Sequence, residues 1–129
     1  MQRVRQSGTP GEDRVARVCR ALGLSYRRNV ASLPGSPDLA NKSRRWAIFV
    51  NGCFWHHHKG CSRATIPKRN RAFWLTKLTA NRRRDARKIR QLRAASYRVL
   101  LFWECELDDD TQTCRRLSYL REPRIVDPS

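Results

Sequence analysis

Residues 50–61 read V-N-G-C-F-W-H-H-H-K-G-C, and this stretch holds all three histidines of the chain. Cys53, His58 and Cys61 place a thiolate, an imidazole and a second thiolate in one short loop, which are ligand types and gaps that suit a tetrahedral Zn2+. His57 stands beside His58 and could take its place. A fourth ligand has to come from elsewhere, so the fold must bring a distant residue to this loop. A loop tied in this way would hold Phe54 and Trp55 rigidly and present them outward, where they suit stacking on bases. The competing readings are buried free thiols and core aromatics.

A chain of 129 residues that carries such a loop is one domain with a single modest core. Lys and Arg number 28 against 11 Asp and Glu, a net charge of +17. That excess favours a polyanion, most simply nucleic acid through its phosphates, over a ribosomal-type or membrane-surface protein. The cysteines number five, an odd count, and two of them lie in the Cys/His cluster, which favours metal binding in a reducing compartment over a disulfide framework. No run of about 18 apolar residues is present and the N-terminus has no apolar signal core, so the expected place is the cytoplasm, at the nucleoid.

In chain order, residues 1–11 are polar and basic with Gly8, Pro10 and Gly11, and are expected to form a mobile arm whose Arg3 and Arg5 can lie along a phosphate backbone. Helical spacing of Val15, Val18, Cys19 and Leu22 predicts a helix over 12–22, with Thr9 and Glu12 as its capping box and Gly23 at its end. Residues 24–30 alternate weakly and predict a strand. Residues 32–38, S-L-P-G-S-P-D, are rich in turn formers, and Pro37 delivers Asp38 at a fixed place next to an extended run. The apolar W-A-I-F-V over 46–50 predicts a strand that leads straight into the Cys/His loop. A long helix is predicted over 73–95, with Leu75, Leu78, Ile89 and Leu92 as its buried stripe and Asp85 on the same face, needing an arginine partner. Arg82, Arg83 and Arg84 wrap around that helix and meet phosphate or solvent. Y-R-V-L-L-F-W over 97–103 is the clearest strand, and it makes Cys105, just past its end, the best fourth zinc ligand. Asp108 to Asp110 favour the start of a last helix reaching Leu120, and residues 121–129 form a frayed tail. Trp46 and Trp103 read as core, and Cys19 and Cys114 as structural or incidental.

The blocks S-L-P-G-S-P-D, V-N-G-C-F-W-H-H-H-K-G-C, F-W-L-T-K-L with N-R-R-R-D, and Y-R-V-L-L-F-W-E-C-E-L occur in the order of the motifs of the very-short-patch-repair (Vsr) DNA mismatch endonucleases. The chain resembles that family over residues 9–107. The resemblance implies an α/β fold with a restriction-endonuclease-like, PD-(D/E)xK-type core: a mixed central sheet flanked by helices, with a structural zinc ion. It also implies a Mg2+-dependent enzyme that nicks one strand 5′ to the thymine of a T·G mismatch left by deamination of 5-methylcytosine.

Carried over residue by residue, the resemblance implies that Asp38 and the main-chain carbonyl of Val50 bind Mg2+. His56 activates the attacking water and Glu12 supports the site. Cys53, His58, Cys61 and Cys105 bind zinc, while Phe54, Trp55 and Trp74 wedge into the duplex. Asn51 stands where relatives carry an acid or a histidine near the metal. No E-x-K follows Asp38 on its strand, as in the family. The expected partners are double-stranded DNA with a T·G mismatch, mismatch-repair proteins and a repair polymerase, with the chain acting as a monomer away from membranes. Two alternatives are a DNA nuclease of different target specificity and a zinc-stabilised nucleic-acid-binding module without catalysis.

Overall fold

The structure, a computed structural model, describes residues 9–53, 61 and 65–121. Helix α1 (Pro10–Ala21) starts where the Thr9 hydroxyl accepts the Glu12 N–H and the Glu12 carboxylate accepts the Thr9 N–H, the reciprocal cap that these two residues predict. Because α1 begins at Pro10, that residue and Gly11 leave the predicted arm and join the helix. A proline has no N–H to leave unpaired in a first turn, so it suits this position. Val15, Ala16 and Cys19 on the inner face of α1 are 0 % exposed.

Among the described residues, one sheet of four strands follows the order β1 (Arg27–Arg28), β2 (Leu39–Asn41), β3 (Trp46–Asn51) and β4 (Arg98–Trp103). The β1–β2 and β2–β3 pairs are antiparallel and β3–β4 is parallel, so the sheet is mixed. The strand predicted over 24–30 contracts to two residues because Asn29 turns to a left-handed φ of 51°. Asn29 and Val30 still donate their N–H groups to the Asp38 and Pro37 carbonyls at 3.0 and 3.1 Å, which keeps residues 37–38 extended ahead of β2. The strands predicted over 46–50 and 97–103 are β3 and β4, paired from Trp46↔Arg98 to Asn51↔Trp103.

A parallel pair needs a crossover, and helix α2 (Arg71–Ala94) supplies it. Side chains alternate across the sheet. Leu39, Trp46, Ile48 and Phe102 enter one core with Val15 of α1 and Leu117 of α3 (Asp110–Ser118). Ala40, Ala47 and Phe49 enter a second core with Leu92, against which Ile89 of α2 packs. The architecture is therefore three layers, with α1 and α3 on one face of a mixed α/β sheet and α2 on the other. Trp46 is core as predicted, whereas Trp103, at the end of β4, is only half-buried.

The last predicted helix divides in two. Asp109 caps α3 by accepting the Thr111 and Gln112 N–H groups at 3.0 and 3.2 Å, and a short 3-10 turn (Tyr119–Arg121) follows α3. Helix α2 has 24 residues, about 36 Å of length against about 20 Å for a six-residue strand. Its predicted stripe is therefore buried only in part. Leu78 and Leu92 are 0 % exposed, but Leu75 in the first turns is 37 % exposed. Among the described residues, no helix is long and apolar enough to cross a membrane.

Candidate active site

The extended approach to β2 lays Asp38 against the end of β3, where its Oδ2 accepts the Val50 N–H at 2.6 Å. Buried Pro37 and the two bonds from Asn29 and Val30 hold the backbone on which the carboxylate sits. An extended residue turns its N–H and C=O toward the same edge, so the Val50 carbonyl lies on the Asp38 side of β3. A carboxylate and a carbonyl are hard oxygen donors of the kind Mg2+ takes.

The first turn of α1 closes on the same place. A Cβ at Gly11 would lie 3.2 Å from Val50 Cγ1, so the helix start rests on the strand residue that Asp38 binds. Next to it, Glu12 is 1 % exposed. Its Oε2 caps the helix. Its buried Oε1 makes no hydrogen bond among the described residues and stands 3.8 Å from an Arg28 nitrogen. A buried carboxylate oxygen without a hydrogen bond is unfavourable, and the Arg28 guanidinium offsets part of that cost. It is the Asp38 carboxylate and the Val50 carbonyl whose donor types fit a divalent ion.

Asn51 ends β3 on the α2 face and is 6 % exposed. With Phe49, Leu101, Asp85, Lys88 and Ile89 it lines a cavity of about 10 Å3, room for one water at most. Asp85 thus shares a cavity with Asn51. Sequence reasoning gave it only a supporting ion pair, although an acid at the spacing of a buried stripe was a signal that it faces something. His56, the expected base, lies outside the described residues, as do Phe54, Trp55, His57 and His58.

Parallel pairing brings the zinc candidates together. Asn51 pairs with Trp103, and Cys53 and Cys105 each follow two residues further on, Cys105 in a 3-10 turn (Glu104–Asp108). The Sγ atoms of Cys53, Cys61 and Cys105 all lie within 4.8 Å of one another. Thiolates tetrahedrally arranged around Zn2+ stand about 3.8 Å apart, so a small contraction makes this a ligand set. The cluster could hold a metal ion, and its cysteines are free thiols. Desolvation, then the neighbouring thiols, push the Cys105 thiol up, and desolvation is also the first cause of the rise at Cys53. A dication reverses that penalty, since it binds the ionised form.

Helix α2 carries the remaining candidates. Arg82, Arg83 and Arg84 are all exposed. Trp74 is half-buried, edge-on to Phe73 with ring centroids 5.3 Å apart, and Lys77 Nζ lies 6.0 Å from its centroid. Phe73, not singled out in the sequence, is 59 % exposed, and Leu75, Thr79 and Arg83 border a shallow groove one turn on. An exposed aromatic beside a half-buried one, with exposed arginines on the same helix, suits a nucleic acid surface.

Comparison with known proteins places this arrangement in a family. The family described as DNA mismatch endonuclease Vsr matches over residues 1–63. A type II nicking enzyme of Xanthomonas oryzae pv. oryzae is 41 % identical over 123 residues, covering 95 % of this chain and 90 % of that protein. The DNA mismatch endonuclease Vsr of Escherichia coli is 41 % identical over 107 residues, covering 83 % of this chain and 68 % of that one. The chain belongs to the Vsr family. A further relative, a type II nicking enzyme of Neisseria meningitidis, is 33 % identical over 120 residues and 85 % of its own length. Vsr-family membership makes the chain a DNA endonuclease.

Proposed function

We propose that the chain is a Mg2+-dependent mismatch endonuclease of restriction-endonuclease-like fold that nicks one DNA strand 5′ to the thymine of a T·G mismatch arising from 5-methylcytosine. The observation that carries this reading is the 2.6 Å bond from the Val50 N–H to Asp38 Oδ2, which joins an acid and a strand edge in a chain of the Vsr family. Asp38 and the Val50 carbonyl hold Mg2+, and Glu12 supports them from α1. When bound, the ion lowers the pKa of water and offsets charge on the pentavalent phosphorus. His56 takes the proton of the attacking water. Asn51 can donate and accept hydrogen bonds but is no proton carrier, so it orients groups at the strand end.

Phe54, Trp55 and Trp74 wedge into the duplex, which costs a few kcal/mol of unstacking and less at a mismatch, so selectivity arises from that difference. Arg82, Arg83 and Arg84 contact phosphates. Cys53, His58, Cys61 and Cys105 hold a structural Zn2+ that fixes the wedge loop to the end of β4. The chain acts as a monomer in the cytoplasm, ahead of mismatch-repair proteins and a repair polymerase.

The test uses two duplexes that differ only by T·G against C·G at one methylation-type site, each with Mg2+ or EDTA. Mg2+-dependent nicking of the mismatched duplex alone is expected. Equal nicking of both supports a second reading, a nicking nuclease of different target, which the nicking-enzyme relatives favour. Binding without nicking leaves a zinc-stabilised binding module and overturns the enzyme.

A further inference from the structure

Lys88 of α2 is half-buried, and its stem is fixed by an unusual contact. A Cβ built on Gly35 would lie 2.5 Å from Lys88 Cδ and 2.9 Å from its Cβ and Cγ. The S-L-P-G-S-P-D turn therefore rests on the lysine stem, and only a glycine, here at φ +78°, leaves it room. Beyond that contact Lys88 borders the small cavity shared by Asn51 and Asp85. Alternation places Asp38 on the same sheet face as Ala40, which packs in the core that Leu92 of α2 completes, and Phe49 and Asn51 lie on that face as well. Asp38, Asn51, Asp85 and Lys88 thus gather at one end of the sheet, beneath α2. Among the described residues the Lys88 ammonium makes no hydrogen bond or ion pair.

Neither β2 nor β3 carries a lysine. We propose that Lys88 supplies from α2 the fixed positive charge those strands lack, and that its ammonium contacts a non-bridging oxygen of the DNA phosphate that passes beside Asp38. The inference rests on the proposed nuclease reading and deepens it. A lysine is a compact point charge suited to one phosphate oxygen. Its stem is already ordered by Gly35, so little side-chain freedom remains to be lost on binding.

The test compares Lys88→Met, which keeps the stem, and Lys88→Arg, which keeps the charge, with the unmodified chain. Binding to a T·G duplex is measured in EDTA across a salt series, and single-turnover nicking in Mg2+. For Lys88→Met the slope of log affinity against log salt is expected to fall by about 1, the loss of one phosphate contact. Its nicking rate is expected to drop about 10²-fold, the scale of one lost charge-stabilising donor. Lys88→Arg is expected to restore the salt slope. Arg17→Met removes the same charge from an exposed position on α1, across the sheet, and is expected to change neither readout. Lys88→Gln serves should the Met variant lose its thermal transition. An unchanged slope in Lys88→Met, or an equal fall in Arg17→Met, overturns the assignment while a nicking parent chain upholds the nuclease reading. A parent chain that neither binds nor nicks any duplex overturns both.

Discussion

Asp38 Oδ2 and the Val50 nitrogen lie 2.6 Å apart, so the acid that precedes β2 satisfies a backbone donor of β3 beyond the last regular pair, Leu39↔Ile48. One carboxylate therefore has a structural partner as well as a proposed chemical task.

The two tasks separate by substitution. Asp38→Asn keeps an acceptor for the Val50 N–H and is expected to fold as stably as the parent while losing nicking. Asp38→Ala is expected to lose nicking and also about 1–3 kcal/mol of stability, because it strands a donor. Urea unfolding beside a nicking assay checks this, and full activity in either variant sinks the assignment. His56→Ala is expected to slow nicking roughly 10²-fold, in line with a lost general base.

One zinc per chain is expected from the three gathered thiols. Cys105→Ser is expected to lose the ion and lower the melting temperature sharply, and a strong chelator is expected to do the same to the parent chain. Metal analysis of protein prepared without chelator decides the matter; zinc-free, fully folded protein refutes it.

Gly35→Ala meets two penalties, a side chain at φ +78° and overlap with the Lys88 stem. Together they are expected to destabilise the fold by about 1–3 kcal/mol. Combining it with Lys88→Ala is expected to recover the overlap and leave the backbone strain, so a double-mutant cycle yields a favourable coupling. Strict additivity of the two changes contradicts the contact.

Burial pushes the Cys19 thiol from 9.0 up to about 12. The folded chain then binds more protons than the unfolded one between those values, so stability is full below pH 9 and falls as pH rises through that window. The slope from this group is at most about 1.4 kcal/mol per pH unit. Cys19→Ala is expected to remove that share of the alkaline loss, and thermal melts of both proteins from pH 8 upward measure it; parallel curves rule it out.

Much of this architecture is legible in the residues because local rules and long-range packing agree. The Thr9–Glu12 cap, β3 and β4 all follow from spacing and composition. What escapes is set by partners distant in sequence. The fragment expected over 24–30 loses most of its strand to the left-handed Asn29. Leu75 fits an apolar stripe but stays exposed, because periodicity does not reveal where the supporting sheet ends. At the site, Asp38 is marked by the prolines and glycine around it. Asp85 is marked only as an acid at stripe spacing, while the cavity it shares with Asn51 and the glycine contact of Lys88 are encoded by no spacing.

The parallel β3–β4 pair carries a further consequence for how the chain assembles. Leu39 and Ile48 meet across a short hairpin, whereas Asn51 and Trp103 meet only after all of α2 has been made. Closing distant segments is the slow part of folding, so the half containing Asp38 and Val50 is expected to form first and the cysteine end last. The order of events separates the two halves of the molecule in time: the acid reaches its strand early, and the thiols meet only once the whole domain is in place.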